Sequence, residues 1–80
     1  MSTETPASPL SILVVGAGTM GAGIAQVAAM AGDTVFLYDI AEKAAVAAKE
    51  RIAQSLSRAE AKGYVDAGAS AAALARIHPI

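Results

Sequence analysis

The run Gly16-Ala17-Gly18-Thr19-Met20-Gly21 follows directly on the aliphatic stretch Ser11-Ile12-Leu13-Val14-Val15 and opens onto a segment of helical periodicity. Few folds use three glycines at that spacing in that place. In a strand–turn–helix the first glycine permits a tight exit from the strand. The second, lacking Cβ, leaves the backbone open to close approach, and the third lets the helix lie against the strand it left. The stretch 11–15 shows no apolar–polar alternation, so it reads as a strand buried on both faces. Beyond the turn, Met20, Ile24, Val27, Ala28 and Ala31 share one helical face, while Ala22, Gly23 and Ala25 are small, so this helix can lie close to a neighbouring backbone. Gly32 is the expected stop.

The pattern then repeats. Thr34-Val35-Phe36-Leu37-Tyr38 is rich in β-formers and ends at Asp39. A second helix is expected from about Glu42 to Lys62, with Ala45, Ala48, Ile52, Leu56 and Ala59 on one face and Glu50, Arg51, Gln54 and Arg58 mostly off it. Gly63 closes it. Ser70 or Asp66 is placed to cap a third, short helix carrying Leu74 and Ile77, and Pro79 biases His78 toward an extended conformation. Strand, helix, strand, helix and short helix imply parallel strands with right-handed crossovers. The fold class is α/β, a partial Rossmann (βαβα) unit. Residues 1–10 read as a flexible tail and 11–80 as the N-terminal part of a dinucleotide-binding domain.

Composition narrows the function. The net charge is −1 and no basic block occurs, so neither nucleic acid nor an anionic membrane is an expected partner. The longest strongly apolar run is Ile12–Val15, far short of the ~20 residues that span a bilayer. No signal-type leader is visible at the N-terminus, and the chain reads as cytoplasmic. Cysteine is absent and there is one histidine, so no metal site is expected. Apolar residues make up 55% of the chain, but alanine supplies nearly half of them, which leaves a thin core. Two strands alone would leave unpaired edges, through which the chain could form a homo-oligomer.

The chemistry lies in the turn. Free N–H groups at a helix start, with the helix dipole behind them, bind phosphate. Gly16, Ala17, Gly18, Thr19, Met20 and Gly21 therefore form a cradle for the pyrophosphate of a dinucleotide. Asp39 lies 23 residues after Gly16, close to the ~20 at which an acid meets the adenosine ribose. A carboxylate there accepts from both ribose hydroxyls and repels a 2′-phosphate, which favours NAD over NADP. The simpler alternative for Asp39 is a turn residue or the N-cap of the second helix.

The string Gly16 to Gln26, G-A-G-T-M-G-A-G-I-A-Q, closely resembles the NAD-binding start of the 3-hydroxyacyl-CoA dehydrogenases, the family that includes 3-hydroxybutyryl-CoA dehydrogenase. The likeness continues through Val27-Ala28-Ala29, Ala31-Gly32, Thr34-Val35 and Leu37-Tyr38-Asp39, and reaches Ile52, Ser55 and Leu56. The segment Ala72 to Ile77 is similar to bacterial members just before their third strand. Asp33 departs from the His often found there, at what reads as a surface turn. The resemblance implies an oxidoreductase of fatty acid or related acyl-CoA metabolism, interconverting (S)-3-hydroxyacyl-CoA and 3-oxoacyl-CoA with NAD. It also implies that Ser55 and Lys62 touch the CoA part of the substrate; a solvated Ser and a Lys at a helix end need no ligand to explain them. The family's catalytic His and its Glu partner lie downstream. His78 lacks their context, so no catalytic residue is assigned. The chain is expected to be a part of such an enzyme, without its C-terminal substrate and dimerisation domain and inactive alone. The alternative is a stand-alone, non-catalytic dinucleotide-binding or interaction module. Other Rossmann proteins fit less well: FAD enzymes usually place Glu where Asp39 stands, and methyltransferases do not need the third glycine.

Overall fold

The structure, a computed structural model, describes residues 10–80. Its elements are β1 (Ser11–Val15), α1 (Thr19–Met30), β2 (Thr34–Tyr38), α2 (Ala44–Ala61), α3 (Ala69–Ala75) and β3 (Ile77–Pro79). The strands form one parallel sheet in the order β1-β2-β3. The expected flexible tail falls on residues 1–9, outside the described residues, except at its last position. Leu10 is tied down there: its N–H donates to the Asp33 carboxylate at 2.9 Å and its carbonyl accepts from Thr34.

The first two strands stand where the sequence placed them. The third is an addition, for Ile77-His78-Pro79 pairs with Val35-Phe36-Leu37 along the open side of β2. A proline is tolerated in so short a strand because β3 lies at the sheet edge. His78 is therefore a strand residue, and its ring packs on Phe36 with centroids 5.5 Å apart.

Among the described residues, only one face of the sheet is covered. Val14, Val35, Leu37 and Ile77 are buried against Ala22, Ala25 and Ala29 of α1, Ala45, Ala48, Ile52 and Leu56 of α2, and Ala73 of α3. Their strand neighbours Leu13, Val15, Phe36 and Tyr38 point the other way and are exposed, Val15 by 70%. The register places Leu13 beside Phe36 and Val15 beside Tyr38, so these residues form one continuous apolar surface. This corrects the expectation that β1 is buried on both faces. Successive crossovers of one hand, stepping in one direction across the sheet, put every helix on the same side.

Helix α1 turns its small side to the sheet, as expected of Ala22 and Ala25, whereas Gly23 is exposed. Its large residues face outward, with Met20 80% and Val27 71% exposed, while Ala22, Ala25 and Ala29 face the sheet. This helix is apolar nearly all round, so side-chain size decides its orientation. The small side lets the helix axis come close to the strands. Helix α2 follows the sequence reading: Ala45, Ala48, Ile52 and Leu56 are buried, and Glu50, Arg51, Gln54 and Arg58 are exposed. It starts at Ala44 rather than Glu42, because the chain first turns at Asp39 and then passes through Lys43 with a left-handed φ of 68°.

Helix α3 has neither expected cap. Gly68 is its N-cap without a side-chain bond, and the buried Ser70 hydroxyl instead donates to the Leu56 carbonyl at 3.1 Å, joining α3 to α2. Arg76 donates to the Ala29 carbonyl at 2.9 Å and so ties the end of α3 to α1. Asp33, read as a surface residue, is only 7% exposed. Its position is set by the β1 entry that it holds. Among the described residues, no helix is long and apolar enough to cross a membrane.

Candidate dinucleotide site

Parallel strands bring their C-terminal ends to one edge of the sheet, and in open α/β sheets that edge is where ligands bind. Here it carries the glycine turn after β1, Asp39 after β2 and Ile80 after β3. The structure therefore brings Gly16–Gly21 and Asp39 together, as the sequence reading required.

The three glycines of the turn differ physically. Gly16 has φ +97°, a conformation that L side chains rarely adopt. Its N–H donates to the Tyr38 carbonyl at 2.8 Å, extending the β1–β2 pairing into the turn. At Gly21 a Cβ would overlap the Gly16 carbonyl oxygen, so α1 sits against the turn only because that position has no side chain. Gly18 is unlike both. Its φ is −69°, open to any residue, and a Cβ there would meet nothing within 4 Å. The protein's own packing does not explain a glycine at 18. The open space lies where α1 begins, with Gly18 as N-cap and no side-chain cap bond. The first bond of the helix runs from the Ala22 N–H to the Gly18 carbonyl at 2.8 Å. The N–H groups of Thr19, Met20 and Gly21 therefore have no carbonyl partner within the helix. A bare backbone and unpaired donors at a helix N-terminus are what a pyrophosphate requires.

Asp39 is engaged on both oxygens. Oδ2 accepts from the Ala17 N–H and Oδ1 from the Ala41 N–H, each at 2.7 Å. The second bond closes an Asx-type turn. Helix α2 takes its N-cap from Lys43, so Asp39 is not that cap. The Ala17 N–H, and after it that of Ala41, hold the Asp39 carboxyl below the ordinary aspartate pKa. A lowered pKa stabilises the folded chain at pH values above the ordinary aspartate range, and this contribution disappears as pH falls through the lowered value. Protection of the Ala17 amide from hydrogen exchange is thus expected to stay constant from neutral pH down to the ordinary aspartate range and to be lost progressively as pH falls from there through the lowered value. A decline that begins above that range would contradict the Asp39 latch.

Two openings flank the turn. One, of about 240 Å³, is lined by Asp39, Lys43, Val46, Pro79 and Ile80 among others. The other, of about 310 Å³, runs between α1 and α2 and is lined by Thr19, Gly23, Gln26, Arg51, Ile52 and Ser55, with Ala22 at its base. Ser55 is half-buried there. Lys62 is exposed at the C-cap of α2 and does not line this groove, although seven residues of helix place it on the Ser55 side, about 10 Å along the axis. Sequence reasoning missed Arg51. Its guanidinium Nη2 donates to the Ala17 carbonyl at 3.0 Å across 34 positions of sequence, a contact that depends on how α2 lies against the turn. Among the described residues, no group of three or more His, Asp or Glu could hold a metal ion.

A parallel βαβ unit with this turn and an acid at the end of its second strand defines one half of a doubly wound dinucleotide-binding fold. More particularly, the chain belongs to the 3-hydroxyacyl-CoA dehydrogenase NAD-binding domain family, which residues 11–80 match. NAD is the cofactor of this domain. The chain is 40% identical over 70 residues to 3-hydroxyadipyl-CoA dehydrogenase of Escherichia coli, covering 88% of this chain and 15% of that protein. It is 50% identical over 52 residues to 3-hydroxybutyryl-CoA dehydrogenase of Mycobacterium tuberculosis, covering 65% and 18%. The fold superposes on the crystal structure of 3-hydroxybutyryl-CoA dehydrogenase from Escherichia coli with a TM-score of 0.85 at 38% identity, over 92% of this chain and 16% of that one. For (S)-3-hydroxybutyryl-CoA dehydrogenase from Ralstonia eutropha the TM-score is 0.83 at 40% identity, over 91% and 26%. The chain thus spans 15–18% of the length of these two curated relatives.

Proposed function

We propose that this chain is the NAD-binding portion of an oxidoreductase interconverting (S)-3-hydroxyacyl-CoA and 3-oxoacyl-CoA. The observation that carries the reading is Gly18, where a missing side chain leaves open space at the unpaired N–H groups of α1. In this reading Gly16 and Ala17 shape the turn, and Gly18 admits the pyrophosphate. The N–H groups of Thr19, Met20 and Gly21 bind its charge. Asp39 uses its remaining lone pairs for the ribose hydroxyls, since an ionised carboxylate has about four acceptor positions and two are taken. The opening beside Asp39, with Val46, Pro79 and Ile80 as apolar walls, suits the adenine ring. Ser55 in the neighbouring groove and Lys62 farther along α2 serve the CoA moiety. Bound NAD supplies the hydride acceptor. The described residues bind and orient it but place no general base beside the turn, as His78 packs on Phe36 in β3. In this reading the described residues alone bind cofactor without turnover. The exposed face of Leu13, Val15, Phe36 and Tyr38 supports this reading, because parallel sheets are normally covered on both sides.

One observation favours a second role for Asp39: both its oxygens already hold backbone N–H groups, so it is also a structural latch. Calorimetric titration of the chain with NAD and NADP separates the roles. NAD is expected to bind saturably and much more tightly than NADP. Asp39→Ala should lower NAD affinity by roughly ten- to a hundredfold, because hydrogen bonds to a charged acceptor are lost, and should narrow the gap between the two cofactors. A variant that keeps the gap would show that Asp39 is a latch alone. No binding of either cofactor by the parent chain would remove the proposed function.

A further inference from the structure

The glycine that opens the cradle also loosens it. A peptide plane rotates through opposite changes in ψ of the residue before it and φ of the residue after it, and glycine removes most of the steric resistance to such a flip. The Ala17–Gly18 peptide is therefore the weakest plane of the turn, and it carries the N–H of Gly18, the residue at which a Cβ would meet open space. The neighbouring Gly16–Ala17 peptide is already held, because the Ala17 N–H donates to Asp39 at 2.7 Å and the Ala17 side chain is buried in the core.

We infer that Arg51 is a positioning residue for the cofactor, holding the Ala17–Gly18 peptide in the orientation that presents the Gly18 N–H to the pyrophosphate. Its Nη2 donates to the Ala17 carbonyl at 3.0 Å. In a trans peptide the C=O and N–H point to opposite edges of one plane, so fixing the oxygen fixes the direction of the N–H. Asp39 and Arg51 thus clamp two consecutive peptides of the turn from two different elements, the end of β2 and the middle of α2. The bond is partly buried beneath Ala17, which is itself only 3% exposed. Arginine is well suited to this contact. Its planar head offers five donors on a stem long enough to cross from α2. Arg51 also lines the α1–α2 groove with Thr19 and Ser55. The same side chain therefore borders both the turn and the groove proposed for the CoA moiety.

This inference rests on the proposed NAD site, and the test separates the two. Arg51→Met and Arg51→Lys are compared with the parent chain in three measurements: urea denaturation, the backbone N–H order parameter of Gly18 without ligand, and NAD titration at low salt and at about 0.5 M salt, where distant charges are screened. Arg51→Met should leave the urea midpoint unchanged, lower the Gly18 order parameter, and weaken NAD binding about tenfold at both salt concentrations. Arg51→Lys should recover part of the loss. A Met variant with a parental order parameter and parental affinity overturns the inference, as does a loss of affinity that vanishes at high salt or that merely follows a lowered urea midpoint. If the parent chain binds no NAD, the proposed function fails. The order parameter then decides the clamp alone: a lower value at Gly18 in the Met variant supports it, and an unchanged value overturns it.

Discussion

Gly21→Ala is expected to lower the stability of the chain by about 3 kcal/mol or more, read as a large drop in the urea or thermal midpoint. The added methyl would overlap the Gly16 carbonyl oxygen, and the next atoms met are the Gly16 carbonyl carbon at 2.9 Å and a Val14 methyl at 3.5 Å. Two of these three atoms are backbone, and no side-chain rotation relieves them. Either α1 moves off the sheet or the turn is rebuilt, and overpacking of this kind costs on the order of 1–3 kcal/mol even where neighbours can shift. Movement of α1 would also separate Ala22, Ala25 and Ala29 from the strands they cover. A small domain with an alanine-rich core and one open sheet face has little reserve against such a loss. An unchanged midpoint would show that α1 does not sit against the turn as described.

The same chemical change three residues earlier should have the opposite profile. Gly18→Ala meets nothing within 4 Å, and its φ of −69° suits alanine. Alanine is a poorer N-cap than glycine, but it also restricts the unfolded chain, and the two effects are each about 1 kcal/mol or less and oppose one another. Stability should therefore stay within about 1 kcal/mol of the parent. NAD affinity should fall at least tenfold, because the methyl occupies the space the pyrophosphate enters. The pair Gly18→Ala and Gly21→Ala separates a glycine kept for a ligand from a glycine kept for packing. If Gly18→Ala destabilises the chain and leaves cofactor binding intact, the assignment of the turn is reversed.

Much of this was legible in the sequence, for identifiable reasons. β1 and β2 were readable because aliphatic and β-branched runs ended in glycine or in an acid. The buried face of α2 was readable because its charged residues leave only one apolar side. α1 lacks that contrast: with apolar residues on nearly every side, periodicity marks Met20, Ile24 and Val27, and the small size of Ala22 and Ala25 is the better guide to the side that meets the sheet. β3 was hidden because three residues ending in proline carry no strand pattern of their own; it exists because β2 offers an open edge. Asp33 was misread because its role depends on Leu10, distant in sequence but adjacent in the sheet.

For the site, the spacing of the glycines and of Asp39 identified the members of the turn but not their separate roles. That Gly18 faces open space while Gly21 faces a carbonyl follows from the three-dimensional approach of α1 to β1. Arg51 was invisible for a similar reason. An arginine on the polar side of a helix reads as solvated until the position of α2 brings it to the Ala17 carbonyl.

Mapping of backbone amide shifts during titration of the labelled chain with NAD would locate the cofactor residue by residue. Saturable shifts should concentrate at Gly18, Thr19, Met20 and Gly21, with a second group from Asp39 to Lys43, and the exposed sheet face of Leu13 and Phe36 should stay still. Shifts confined to that sheet face, or saturable binding that leaves Gly18 to Gly21 unmoved, would contradict the assignment of the glycine turn as the NAD site.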